Sequence, residues 1–178
     1  MQSSSRCVKL RDRTVYNLDH ENLMANNPNS ACRCIWQAET DQSGDGLTEA
    51  CQILIGLLKE PIFNTLRTQE QLGYIVSANK YLVQKVIHFA ITVQSGSYDA
   101  DFLEHRINAF IESYKDWEPT KEQVETAVSS TINSLKQKST SLAAESSLLW
   151  GHILTKEFDF DMREQKIQKY EKLTPGDI

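Results

Sequence analysis

The side chains able to do chemistry are few and scattered. Four histidines, His20, His88, His105 and His152, lie far apart, and neither HExxH nor HxxEH occurs. A hydrolytic zinc site needs clustered His, Cys or carboxylate ligands and an open position for water. The nearest approach is Asp101-Phe-Leu-Glu104-His105, the inverzincin spacing with Asp in place of the first His. On a helix Asp101 and His105 would share a face. An Asp at that point is expected to open a helix instead, and no third ligand accompanies it, so no metal ligand is assigned in this chain. There is no GxSxG, no GxGxxG and no GxxxxGK[ST], so neither a nucleophile elbow nor a phosphate cradle is encoded.

The four cysteines, Cys7, Cys32, Cys34 and Cys51, contain no CxxC pair. They read as reduced thiols acting as small hydrophobes in a cytosolic-type compartment. Cys32 and Cys34 sit in an expected strand. One reading places them on opposite faces, unable to share a metal or a disulfide. Another groups Cys32, Cys34 and Trp36 on one face.

One segment is more informative: Glu60-Pro61-Ile-Phe63-Asn-Thr-Leu-Arg67-Thr-Gln-Glu70-Gln71-Leu72-Gly73-Tyr74-Ile-Val76. Arg67 falls in the last turns of an expected helix, and Tyr74 follows just past Gly73, a natural helix stop. An arginine fork and a phenolic hydroxyl can project together from such a helix-to-strand corner, an arrangement suited to a peptide backbone. Each residue also has a purely local reading. Arginine is favourable near any helix C-terminus, and Tyr74 fits a half-buried strand position.

The elements around this corner follow from periodicity. A charge-broken β-prone stretch, Val8 to Tyr16, precedes a turn at Asn26 to Ser30 and a strand over 31–40. Asp41 to Gly46 is a loop leading into a helix. Leu47, Ala50, Cys51, Leu54, Leu57 and Leu58 recur at helical spacing, predicting a buried amphipathic helix over 47–59. Glu60-Pro61 is expected to break it. A second short helix then carries Phe63, Leu66 and Arg67 to Gly73. Tyr74 to Val83 and Val86 to Gln94 read as antiparallel strands joined near Gln84-Lys85. Asp99 or Asp101 caps a helix running to about Trp117 on Phe102, Leu103, Ile107, Phe110, Ile111 and Tyr114. Helices over about 120–138, 141–155 and 162–172 complete the chain. This order predicts an α+β fold, a mainly antiparallel sheet of about four strands covered on one face by helices.

Composition bounds the rest. The 178 residues suffice for one domain with a proper core, expected over 1–178. Nineteen Lys+Arg against 24 Asp+Glu give a net charge of −5, which argues against a nucleic-acid partner. The longest mostly apolar stretch, Cys51 to Leu58, is far below the roughly 18 residues of a membrane span. The first ten residues carry no apolar core of signal-peptide length.

At FNTLRTQEQLGYIV, residues 63–76, the chain resembles the C-terminal half of the insulin-degrading branch of the pitrilysin-type zinc metallopeptidases. The resemblance extends over nearly the whole chain and is weakest in 1–45. It includes residues 141–178 with Trp150-Gly151 and the Phe158-Asp159-Phe160-Asp161 turn. It implies the fourth of four similar α+β domains enclosing a chamber for small or unfolded peptides. Zinc would belong to another domain, with no cofactor bound by this chain. By motif, Arg67 and Tyr74 would reach the substrate backbone, the phenol lying near the scissile carbonyl. Phe63, Gln71, Gly73 and Ile75 would position them.

The resemblance further implies that the chain is truncated, since the family continues into another helix and strand. It should be inactive alone and should require the zinc-bearing N-terminal half, as the same enzyme or a separate subunit. An uncovered edge would favour self-association. The alternative is a non-catalytic peptide-binding or regulatory partner subunit. A cytoplasmic location is expected, although family members also occupy mitochondria and peroxisomes.

Overall fold

Alternating Val, Ile and small residues from 75 to 95 build a hairpin that anchors everything else. In the computed structural model, which describes residues 7–11, 14–21, 24, 26–40, 46–83, 86–154 and 160–178, this hairpin is β2 (Ile75–Val83) and β3 (Val86–Ser95). It pairs antiparallel from Ile75↔Gln94 to Val83↔Val86. β1 (Ser30–Thr40) pairs antiparallel with the other side of β3, from Ser30↔Ser95 to Thr40↔Val86, with an irregularity between Gln37 and Thr40. The described sheet thus has three strands in the order β1-β3-β2, rather than about four. The described part of Val8 to Tyr16 forms no strand. Lys9 and Arg11 interrupt its alternation, and Gln37 holds it instead. Leu10 N–H donates to Gln37 Oε1 at 2.7 Å, and Gln37 Nε2 donates to the Val8 carbonyl at 3.0 Å.

The helices are α1 (Leu47–Ile62), a π-helix over Phe63–Gln69, α2 (Ala100–Ser113), α3 (Lys121–Lys136), α4 (Leu142–Leu154) and α5 (Met162–Lys172). A single 3-10 turn, Pro175–Asp177, follows them. No helix among the described residues is long and apolar enough to cross a membrane. The expected join at Gln84-Lys85, most of the Asp41 to Gly46 loop, and Phe158-Asp159 lie outside the described residues.

Those residues divide into two compact units. The first takes in the described parts of Met1–Gly44 with Leu54–Glu118. Its core gathers Val76 and Ala78 of β2, Ile91 and Val93 of β3, Leu103, Ile107 and Phe110 of α2, and Leu58, Ile62, Leu66 and Leu72. Cys32, Cys34, Trp36 and Phe89 pack against that cluster, and the rings of the register partners Trp36 and Phe89 stack at 5.4 Å. The sheet therefore buries one face under helices, as its alternation predicts.

The second unit comprises Asp45–Ile53 with Pro119–Ile178. Thr120 opens α3 with a complete capping box: its hydroxyl accepts from Gln123 N–H, and Gln123 Oε1 accepts from Thr120 N–H. α3 packs on α5, with Val124 and Tyr170 buried. Burial pushes the Tyr170 phenol up to about 12, aided by the nearby Glu49 carboxylate, which Lys169 faces at 3.8 Å.

Candidate functional site

Glu60-Pro61 does not break the helix. α1 runs through the proline to Ile62, and the chain continues without interruption into the π-helix. Ile62 and Leu66 are almost wholly buried, and the burial they gain outweighs the local cost of proline. Directly after the proline the turns widen, as in the Glu70 N–H bond to the Thr65 carbonyl at 2.9 Å. Leu66 points into the core, which leaves Phe63 and Arg67 toward the outside.

The stop of this helix is also not where glycine sits. Gln71 takes the left-handed conformation, φ 53°, and Leu72 N–H closes the end on the Leu66 carbonyl at 3.0 Å. Gly73 serves another need. A Cβ there would stand 1.9 Å from the Gln94 carbonyl oxygen, so only glycine lets the chain press against β3 on its way into β2. Leu72, 2% exposed, anchors one side of this turn, and Tyr74 emerges on the other, 83% exposed.

These turns bring the two expected site residues together. The Arg67 guanidinium carbon lies 5.1 Å from the Tyr74 ring centroid and 4.9 Å from that of Phe63, both within cation–π range. Among the described residues it has neither a hydrogen-bond nor an ion-pair partner. Its N–H donors are thus unspent, beside a phenol open to solvent. Such a pair can donate hydrogen bonds to carbonyl oxygens or to a carboxylate. Of the four residues expected to position them, Phe63 lies against Arg67, Gln71 and Gly73 shape the turn through their backbone, and Ile75 opens β2 half-exposed.

Sequence reading missed one ion pair beside the site. Arg106 of α2 donates from Nε to Glu70 Oε2 at 2.7 Å and from Nη2 to Oε1 at 2.8 Å, a two-pronged contact. The Glu70 hydrogen bond raises the Arg106 pKa above its ordinary value. The two residues are 36 positions apart, and no local spacing signals their meeting.

The remaining candidates resolve differently. Asp99, not Asp101, caps α2: its Oδ1 accepts from Phe102 N–H at 2.8 Å. Asp101 and His105 are exposed on that helix. Among the described residues no group of three or more His, Cys, Asp or Glu could hold a metal ion.

Cys32 and Cys34 do not face opposite ways. A strand's period of two puts them on the same face, and their sulfurs lie 3.8 Å apart. Burial, with the neighbouring Cys32 sulfur, pushes the Cys34 thiol up to about 12, and burial raises Cys32 as well. Raised thiol pKa values favour the protonated form, so thiolate appears only as pH climbs past the ordinary thiol range. At pH 8 both should react with a thiol-labelling disulfide about tenfold or more slowly than an ordinary thiol. Stopped-flow labelling of Cys7→Ser, Cys51→Ser protein measures this, and ordinary rates at pH 8 would contradict it.

Residues 53–150 match the family described as PQQ synthase PqqF-like, C-terminal lobe domain 4. A nardilysin-like protein of Arabidopsis thaliana is 33% identical over 156 residues, 84% of this chain and 15% of that protein. The insulin-degrading enzyme of Homo sapiens is 28% identical over 177 residues, 97% of this chain and 17% of that protein. The chain therefore spans about a sixth of the length of these curated relatives. The crystal structure of pitrilysin superposes with a TM-score of 0.71 at 24% identity, over 85% of this chain and 16% of that one. The resemblance to pitrilysin-type zinc peptidases and the α+β fold it implies are both borne out.

Proposed function

Because the chain belongs to the PqqF-like family of C-terminal lobe domains, we propose that it is the substrate-contacting, zinc-free domain of a peptide-cleaving zinc metalloendopeptidase. Residues 1–178 act as one wall of a substrate chamber in a cytosolic enzyme. The zinc and its general base come from a separate N-terminal half, on the same chain or on a partner subunit. Alone, this chain does not hydrolyse peptides.

One observation carries the reading: the unspent Arg67 guanidinium held beside the exposed Tyr74 ring at the entry to β2. An extended peptide offers carbonyl oxygens along its length. Arg67 donates to one of them and fixes the strand in register. The Tyr74 hydroxyl donates to the scissile carbonyl and strengthens that bond as the oxygen gains charge. The π-turn and the close Gly73 approach bring both donors to one corner before the substrate arrives, which limits the ordering cost of binding.

The test uses the complete peptidase, with this chain joined to or mixed with the zinc-bearing half. Tyr74→Phe should lower kcat/KM for a quenched fluorogenic peptide by roughly tenfold or more. Arg67→Ala should raise KM, because it removes an interaction made before the transition state. Unchanged kinetics in both variants would leave the chain as a non-catalytic partner module.

A further inference from the structure

Arg67 would ordinarily be expected to find a carboxylate. Glu70, three residues on, is the carboxylate nearest to it along the chain. Yet Glu70 is turned to α2, where the two prongs of Arg106 at 2.7 and 2.8 Å occupy both of its oxygens. The side chains of this pair are only 33% and 21% exposed, so the fork is sheltered more than a typical surface pair. Arg67 is left with two aromatic rings, which attract its charge but take none of its N–H donors along their hydrogen-bond directions.

We propose that Arg106 is a positioning residue for the Arg67–Tyr74 site: by holding Glu70, it keeps that carboxylate off Arg67 and leaves the guanidinium open to substrate oxygens. The inference rests on the reading that Arg67 contacts substrate. Without the fork, Glu70 becomes an internal competitor, and a peptide must displace it before binding. The effect of losing Arg106 therefore comes from the freed carboxylate, not from the lost cation. Removing Glu70 as well should cure it.

Two measurements decide this. The first needs only the 178-residue chain: nitrogen-15 spectra of the arginine Nε–H groups, with Arg67 assigned by its loss in Arg67→Lys. In Arg106→Gln the Arg67 signal should shift and exchange more slowly with water, and in Glu70→Gln/Arg106→Gln it should return to its wild-type position. An Arg67 signal that stays put in Arg106→Gln overturns the proposal. The second uses the complete peptidase and a quenched fluorogenic peptide. Arg106→Gln should raise KM roughly fivefold, the competition expected of a partly sheltered ion pair, with kcat within about twofold. The double variant should restore KM. A double variant as poor as the single one, or poorer, overturns the proposal, because a merely structural fork predicts that result. Should Arg106→Gln fail to fold, Arg106→Lys covers only one Glu70 oxygen and should give smaller changes of the same sign. If Arg67→Ala leaves cleavage untouched, the substrate-contact reading fails, while the spectra still decide whether Arg106 keeps Glu70 from Arg67.

Discussion

Replacing Gly73 with alanine should destabilise the chain by at least ~3 kcal/mol, the upper range for forcing an added carbon into a packed site. Its new Cβ would stand 1.9 Å from the Gln94 carbonyl oxygen and 2.8 Å from the Gln94 carbonyl carbon. Both atoms are main chain in the central strand, so no side chain can swing aside. Gln94 is also paired on both sides, to Ile75 of β2 and Ala31 of β1, so moving it strains the whole sheet. The cheaper response is for residues 73–75 to lift away from β3, which carries Tyr74 with them and separates it from Arg67. The Gly56→Ala variant supplies the contrast. A Cβ there meets nothing within 4 Å, in the middle of α1, and should stabilise by roughly 0.5–1 kcal/mol through helix propensity. Urea denaturation of the two variants measures both signs. A Gly73→Ala protein within about 1 kcal/mol of wild type would mean that the close approach does not exist.

Gly73 also illustrates which parts of the molecule are written locally. The residue was legible as special, but its role was not: it reads as a helix stop, whereas the stop is Gln71 and the glycine answers a strand that arrives 21 positions later. The hairpin was legible nearly to the residue, because alternation and the break between strands are local properties. So were α3, expected from about residue 120, and the opening of α2, for which Asp99 was one of two expected caps. What failed were rules that treat a segment as if alone. Proline forbids a helix only until buried neighbours such as Ile62 and Leu66 outweigh its cost. The apolar face assigned to α1 omitted Ile53 and Ile55, which are among its most buried residues. α2 stops at Ser113 rather than near Trp117, with Tyr114 and Trp117 packing their rings just beyond its end. At the site, the spacing of Arg67 and Tyr74 across one corner allowed their pairing without requiring it, and the family resemblance singled it out. The Glu70–Arg106 fork was not, since it depends on how α2 crosses the π-turn.

The same π-turn separates what the fold requires from what the site requires. Leu66 is 0% exposed at the centre of the first unit's core, and Arg67 beside it has no polar partner among the described residues. Leu66→Ala should cost about 2–5 kcal/mol, the range for emptying a buried leucine site whose walls collapse only partly. The upper half of that range applies here. Leu66 is flanked by strand and helix residues that are held by their own hydrogen bonds, and its carbonyl also closes the turn through Leu72 N–H. Arg67→Ala should change stability by less than about 1 kcal/mol, because it removes two cation–π contacts of a half-buried side chain and no hydrogen bond or ion pair among the described residues. In the complete peptidase the order reverses. Below its melting temperature, folded Leu66→Ala protein retains both donors and should keep most of its turnover, while Arg67→Ala should lose substrate affinity with its fold intact. Thermal unfolding and fluorogenic cleavage of the same two preparations test this crossing. If Arg67→Ala proved the less stable variant, the arginine would belong to the scaffold, and the corner would have to be read as a structural joint rather than a binding site.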